Sequence, residues 1–184
     1  GAVRQSTAVP SQAVNEAEVG RRLGYEAFLL SLAALPTATN AQLLDHCRRE
    51  FDIPGIHFGV FHGGSPIVAS DGTPAPADEW HRYAPHGTPG ARAPHLWLED
   101  GVSVLDRMGM DFTLLVLQAG REPDARALRD AAGRRAVPLK VLDVRSEEAR
   151  DIYGADLVLV RPDRHVAWRG NGAPADPAAL LARV

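Results

Sequence analysis

The sequence predicts an α/β fold whose second half runs β-α-β-α-β-β-α, preceded by a helical arm and an irregular connector. Three observations carry this. Phe112 to Leu117 is a continuous apolar run, the mark of a strand buried on both faces. Segments with helical start and stop residues alternate with further apolar runs after it. Residues 53 to about 100 are rich in Pro and Gly and keep no sustained period. The expected division is therefore an arm over 1–52, a connector over 53–100 and an α/β unit over 101–184.

In the arm, Glu16 to Leu30 places apolar residues near helical spacing, and Pro36 punctuates it. Thr39 or Asn40 offers a cap for a second helix, Ala41 to Phe51. On it Leu43, Leu44 and Cys47 share a face, with Phe51 one turn on, so an inward stripe is expected. In the connector, Ile56 to Phe61 alternates large apolar and small residues and reads as a strand. Asp71-Gly72-Thr73-Pro74-Ala75-Pro76 is turn chemistry. A loop this long is normally functional or pinned against something larger.

In the α/β unit, Ser103 stands at the capping position of a short helix that Gly109 can close. Phe112 to Leu117 is the first strand. Pro123 sits at a helix start, and that helix is expected to end near Gly133. Val137 to Val144 reads as a second strand. Ser146 can cap Glu147 to Tyr153, with Gly154 ending it. Leu157 to Val160 is a third strand, Pro162-Asp163 a turn, and His165 to Arg169 a fourth strand. Asp176 can cap the final helix, with Pro177 at its first position. This order is that of a thioredoxin-like fold, with a parallel pair from the first crossover and a hairpin from the third and fourth strands.

A longer pattern runs through these elements. Pro89 to Leu117 contains P-G-A-R-A-P-H-L-W-L, then G-V-S-V-L-D, then F-T-L-L. Ser65-Pro66-Ile67 lies upstream, and Leu159 to Arg169, L-V-R-P-D-R-H-V-A-W-R, closes the series. Over about Phe58 to Val184 the chain resembles the C-terminal part of FAD-dependent aromatic-ring monooxygenases of the phenol hydroxylase and polyketide hydroxylase type. The resemblance implies a parent enzyme that uses FAD and NAD(P)H to hydroxylate a phenolic or polyketide ring. It implies that this chain, excised or natural, supplies the connector and the thioredoxin-like tail. Its expected partners are the flavin and substrate domains of that parent, or a second copy of the chain, which would cover the arm's apolar faces. Ser65, Pro66, Pro89, Gly90, Arg92, Pro94 and His95 are the candidates for docking on the flavin domain. No catalytic, cofactor-binding or metal residue is expected in the chain itself. The rival reading is a stand-alone binding module with the same fold.

Other classes fare worse. Lys and Arg number 20 against 23 Asp and Glu, intermixed, which leaves no electrostatic footprint for nucleic acid or an anionic membrane. Ala27 to Leu35 is the longest apolar run and too short to span a bilayer. A soluble, cytoplasmic protein is the expectation. No G-x-G-x-x-G occurs, so no dinucleotide loop is expected. Thioredoxin chemistry needs a thiolate at a helix N-terminus, but Gly120 to Asp124 holds no sulfur. Cys47, the single cysteine, lies outside the unit. Five of the seven histidines fall between His57 and His95, at spacings that match no zinc pattern. Trp80, Trp97 and Trp168 are expected in core or interface packing.

Overall fold

The computed structural model describes residues 40–74, 76, 77, 79–98 and 100–184. The expected helix over Glu16 to Leu30, and Thr39 as a cap, lie outside the described residues. The elements are α1 (Asn40–Phe51), α2 (Pro54–Phe58), α3 (Val104–Met108), β1 (Phe112–Val116), α4 (Glu122–Arg134), β2 (Leu139–Asp143), α5 (Glu147–Tyr153), β3 (Leu157–Val160), β4 (Val166–Gly170) and α6 (Pro177–Arg183). From β1 onward the order is the expected β-α-β-α-β-β-α. The chain divides into two compact units. One runs to Ile56 and includes Glu79–Arg82; the other comprises His57–Asp78 and Tyr83–Val184.

In the first unit, α1 forms as expected, but its apolar stripe does not turn inward. Leu43, Leu44, Cys47 and Phe51 are all exposed, Phe51 at 73%, whereas His46 is buried. The expectation that Cys47 sits on an inward face is therefore corrected. Helical spacing identifies a stripe but does not say which neighbour covers it.

The second unit is built on one four-stranded mixed sheet of order β2-β1-β3-β4. β1 and β2 are parallel, with Phe112 opposite Leu139 and Val116 opposite Asp143. β3 runs antiparallel to both β1 and β4. A parallel pair requires a crossover, which α4 supplies, and the β3–β4 hairpin needs only the Pro162-Asp163 turn. In that turn the Asp163 carboxylate accepts from the His165 amide, and Arg164 takes φ 67°. The sheet is covered on both faces, which explains why β3 is continuously apolar and β1 is apolar apart from Thr113, whose buried hydroxyl donates to Met108 O at 2.7 Å. On one face Leu114, Val116, Leu157 and Leu159 meet Leu128, Ala131 and Ala132 of α4 and Leu180 and Leu181 of α6. On the other, Leu115, Val158 and Val160 meet Val104 and Met108 of α3, Ala149 and Tyr153 of α5, and Ala93 and Leu96 from the connector.

The helix ends follow the sequence signals. Ser103 Oγ accepts from the Leu105 amide, Ser146 Oγ from Ala149, and Asp176 Oδ1 from Ala179, each satisfying an otherwise orphaned donor. Gly154 closes α5 in the left-handed conformation, φ 67° and ψ 26°, and its amide bonds Arg150 O. α4 runs one residue past Gly133 and ends at Arg134.

The connector differs from expectation at its start. Ile56 to Phe61 is not a strand: Pro54 opens a short helix through Phe58, and only Phe61 pairs, with Ala91. Pro is well suited to a first helical turn, and the alternating Ile56, Phe58 and Val60 remain substantially exposed. Further on the connector is integral to the second unit. The Gly90 amide donates to Val166 O at 2.8 Å, the Val166 amide to Ala91 O at 2.9 Å, and the Ala93 amide to Arg164 O at 2.7 Å. The Ala69 amide donates to Ala167 O. These bonds pair Val166 and Ala167, the first residues of β4, on its outer side and cover that end of the edge. Val68, Ala91, Ala93 and Leu96 are buried. Tyr153, fully buried, donates its hydroxyl to Pro94 O at 2.9 Å. An ion pair fixes the upstream arm of the connector: Arg169 donates to Asp71 at 2.6 Å, to Thr73 Oγ1, and to Tyr153 O.

Gly90 is the tightest point of this arrangement. Its φ is 99°, and a Cβ there would stand 2.4 Å from Gly63 N. Gly90→Ala is expected to destabilise the unit by about 2 kcal/mol or more, from backbone strain and overpacking together. Urea denaturation of the two proteins measures it. Equal midpoints would show that the connector is not held as described.

Candidate functional site

The residues singled out from sequence for docking divide by exposure. Pro89, Gly90 and Pro94 are buried within the unit, where they set the path of the loop along β4. Ser65 and Arg92 are partly exposed, and Pro66 and His95 are exposed. Arg92 Nη1 donates to His57 O at 3.4 Å, and its guanidinium lies 5.6 Å from the Phe58 ring centroid. His95 meets the Trp97 ring edge-on at 4.6 Å. Trp97 itself is 71% exposed and so lies outside the core, whereas Trp168 packs against the core. Trp97, Leu96 and Leu98 form one wall of an open hollow of about 890 Å³, whose other walls are Arg107, Leu142 and Ser146 with their neighbours. Its guanidinium groups are already engaged. Arg107 pairs with Asp100, and Arg145 with Glu122 and Asp143 at 2.7 Å each. Arg92, His95 and Trp97 are thus each positioned by buried neighbours in sequence, Ala91, Ala93, Pro94 and Leu96.

The loops where a thioredoxin would carry its sulfur and its proline hold an ion-pair cluster instead. Asp156, with 3% of its side chain exposed, immediately precedes β3. Its Oδ2 accepts from Arg121 Nε at 2.9 Å and its Oδ1 from Arg150 Nε at 2.8 Å. Its amide donates to Asn171 Oδ1, and its carbonyl accepts from the Leu117 amide at 2.8 Å. One residue therefore joins the end of β1, the start of α4, α5, β3 and the segment after β4. The Arg150 guanidinium is the largest influence on its carboxyl. With Arg121 it holds Asp156 below the ordinary carboxylate value, against the opposing effect of desolvation. Sequence reading missed this cluster, because Arg121 and Asp156 lie 35 positions apart and neither belongs to a motif.

The same loops decide whether these residues could hold a dinucleotide. β1-α4-β2 is a parallel crossover unit, and the start of its helix is where such units bind a pyrophosphate. Here Glu122 and Asp124 occupy the first turn of α4, and Arg121, the nearby cation, is bound by Asp156 and Asp124. Carboxylates stand where a phosphate would need donors, so this helix start does not fit a pyrophosphate. Among the described residues no three His, Cys, Asp or Glu side chains are grouped to hold a metal ion. No described helix is long and apolar enough to cross a membrane.

Comparison with known proteins gives these features a context. The family described as "Aromatic-ring hydroxylase, C-terminal" matches residues 86–184. The FAD-dependent monooxygenase apdD of Emericella nidulans is 34% identical over 169 residues, covering 85% of this chain and 27% of that protein. Phenol 2-monooxygenase of a Pseudomonas species is 30% identical over 156 residues, covering 75% of this chain and 25% of its own length. Among solved structures, RebC soaked with chromopyrrolic acid and holding 7-carboxy-K252c is 41% identical over 74% of this chain and 25% of that one, with a TM-score of 0.66. The flavin-dependent monooxygenase PieE, in complex with FAD and substrate, is 32% identical over 83% of this chain and 32% of that one, with a TM-score of 0.64. The chain spans about a quarter of the length of the curated relatives it matches.

The Asp156 cluster generates a prediction. Asp156→Asn leaves two guanidinium groups short of their counter-charge and is expected to cost about 3 kcal/mol at neutral pH. Because the folded state holds the carboxyl below its ordinary 3.8, the unfolded chain takes up the proton first as pH falls. The stabilisation is complete above 3.8 and is lost as pH drops through the lower folded value. Thermal melts of both proteins from neutral pH downward should show a constant gap that narrows only below that point. A gap that narrows above pH 5 would contradict the assignment.

Proposed function

The chain belongs to the aromatic-ring hydroxylase C-terminal family, and from that premise we propose that it is the structural and interface part of an FAD- and NAD(P)H-dependent monooxygenase acting on phenolic or polyketide rings. Two observations support this reading. The ordered second unit covers the region that the family matches, and its α4 N-terminus is closed to a phosphate by Glu122, Asp124 and the Arg121–Asp156 pair. Flavin chemistry, which would bring oxygen onto the ring, thus belongs to other parts of the parent polypeptide. The relatives whose names specify a substrate include enzymes named for phenol, for 2,4-dichlorophenol and for polyketides, which sets the substrate class we assign to the parent.

In this reading the connector is the joint. Its buried Pro89, Gly90 and Pro94 fix it to the sheet, while Ser65, Pro66, Arg92 and His95 are presented outward toward the flavin domain. The second unit is thioredoxin-like in its connectivity but carries no thiol, so its contribution is shape and stability rather than electron transfer. The exposed Leu43, Leu44 and Phe51 of α1 suit a helix that meets further parts of the parent.

Two measurements test the reading. The isolated chain, titrated with FAD, is expected to leave flavin fluorescence and anisotropy unchanged; tight stoichiometric binding would overturn the division of labour. The polypeptide that carries this sequence together with a flavin domain is expected to oxidise NAD(P)H in the presence of a phenolic compound and to release the hydroxylated ring. Arg92→Glu in that polypeptide is expected to lower its activity while the fold of the second unit, followed by circular dichroism, is unchanged. Full activity of that variant would remove Arg92 from the interface.

A further inference from the structure

We propose that the free edge of β2 is a docking site for an extended polypeptide segment, one with carboxylate side chains on one face and apolar side chains on the other, which adds to the sheet as a further strand. The sheet has two edges. Connector residues 90–93 cover β4, whereas β2 pairs on one side only, with β1. Its other row of backbone donors and acceptors is unpaired among the described residues, which is the template for strand addition.

The surroundings of this edge define the occupant. Side chains of β2 alternate between faces. Val141, 37% exposed, looks onto a groove with Val116, Ala125, Arg126 and Arg129; Glu122 and Asp143 also line it, but both carboxylates are held by Arg145. Leu142 looks onto the hollow walled by Leu96, Trp97 and Leu98. An added strand would therefore find a recess on each face for its own alternating side chains. The two recesses differ in charge. Arg126 and Arg129, one turn apart on α4, have no ion-pair partner among the described residues. On the other face Arg107 pairs with Asp100, Lys140 donates to the Arg107 carbonyl, and Arg145 is held by Glu122 and Asp143. That face offers the exposed Trp97 ring and Leu142. A segment with Glu or Asp toward α4 and Val, Leu or Phe toward Trp97 matches both. Lys140 is the one cation on the strand itself and disfavours a basic segment.

The test uses the full chain and a short fluorescein-labelled peptide of alternating Glu and Val, read by anisotropy. Three comparison peptides accompany it: one with Lys for Glu, one with the Glu residues clustered at one end, and one N-methylated at alternate amides. The alternating peptide is expected to bind, and each comparison peptide to bind at least about tenfold more weakly. Arg126→Glu with Arg129→Glu, both changes on the solvent side of α4, is expected to weaken binding by about tenfold or more and to reduce its salt dependence. Trp97→Ala is expected to weaken binding with salt dependence unchanged. Equal binding of the clustered or N-methylated peptide would overturn strand addition. No binding of the alternating peptide would overturn the site. Concentration-dependent self-association that shields the β2 amides would assign the edge to a second copy and also overturn the proposal.

Discussion

The backbone pairing of Gly90, Ala91 and Ala93 with Val166 and Arg164 is the constraint on which the second unit is arranged. It pairs the start of β4 on its outer side, where Val166 would otherwise present unpaired polar groups. It also fixes the path of the following residues, so that Ala93, Pro94 and Leu96 enter the core and Arg92, His95 and Trp97 emerge from it. The requirement is steric as much as polar. At Gly90 the backbone of residues 62 and 63 approaches so closely that no side chain fits, and the His62 amide bonds Gly90 O at 2.8 Å. A stretch with almost no regular secondary structure is thereby as much a part of the fold as the strands. Among the described residues, β2 pairs on one side only, with β1.

Asp156 plays the corresponding part at the opposite end of the strands. Its carboxylate, carbonyl and amide together tie five segments. A buried charge is tolerated here because two guanidinium groups share it and remain partly exposed to water themselves, which lowers the desolvation cost. The consequence for function is negative and specific. The start of α4, which in other crossover units can accept a phosphate or a thiolate, is here occupied by the Arg121–Asp156 ion pair with Glu122 and Asp124.

The legible and illegible parts of this structure differ in the range of the interactions. Ser103, Ser146, Asp176 and Gly154 were readable as helix boundaries because each acts on backbone within a few residues. β3 was readable to the residue because four consecutive buried positions leave no polar interruption. The connector was not. Its attachment runs through backbone groups, which every residue carries, to a strand more than seventy positions away. Ile56 to Phe61 misled because alternation signals a strand only when one face is covered, and Ile56, Phe58 and Val60 are not. For Cys47 the stripe was correctly located on α1, but burial depends on a neighbour that the stripe itself cannot name. Of the candidate docking residues, Pro89, Gly90 and Pro94 are internal, Ser65 and Arg92 are partly exposed, and Pro66 and His95 reach the surface.

The account holds that, within the second unit, residues 57–78 and 83–98 of the connector and residues 101–184 are one cooperative body, joined along β4. Native-state hydrogen exchange measures this directly. The amides of Ala69, Gly90 and Ala93 should exchange with the same free energy as those of Leu117 and Val166, the value for global unfolding. Exchange of Ala69, Gly90 and Ala93 through a low-energy opening, while Leu117 and Val166 remain fully protected, would show that the connector merely rests on the sheet.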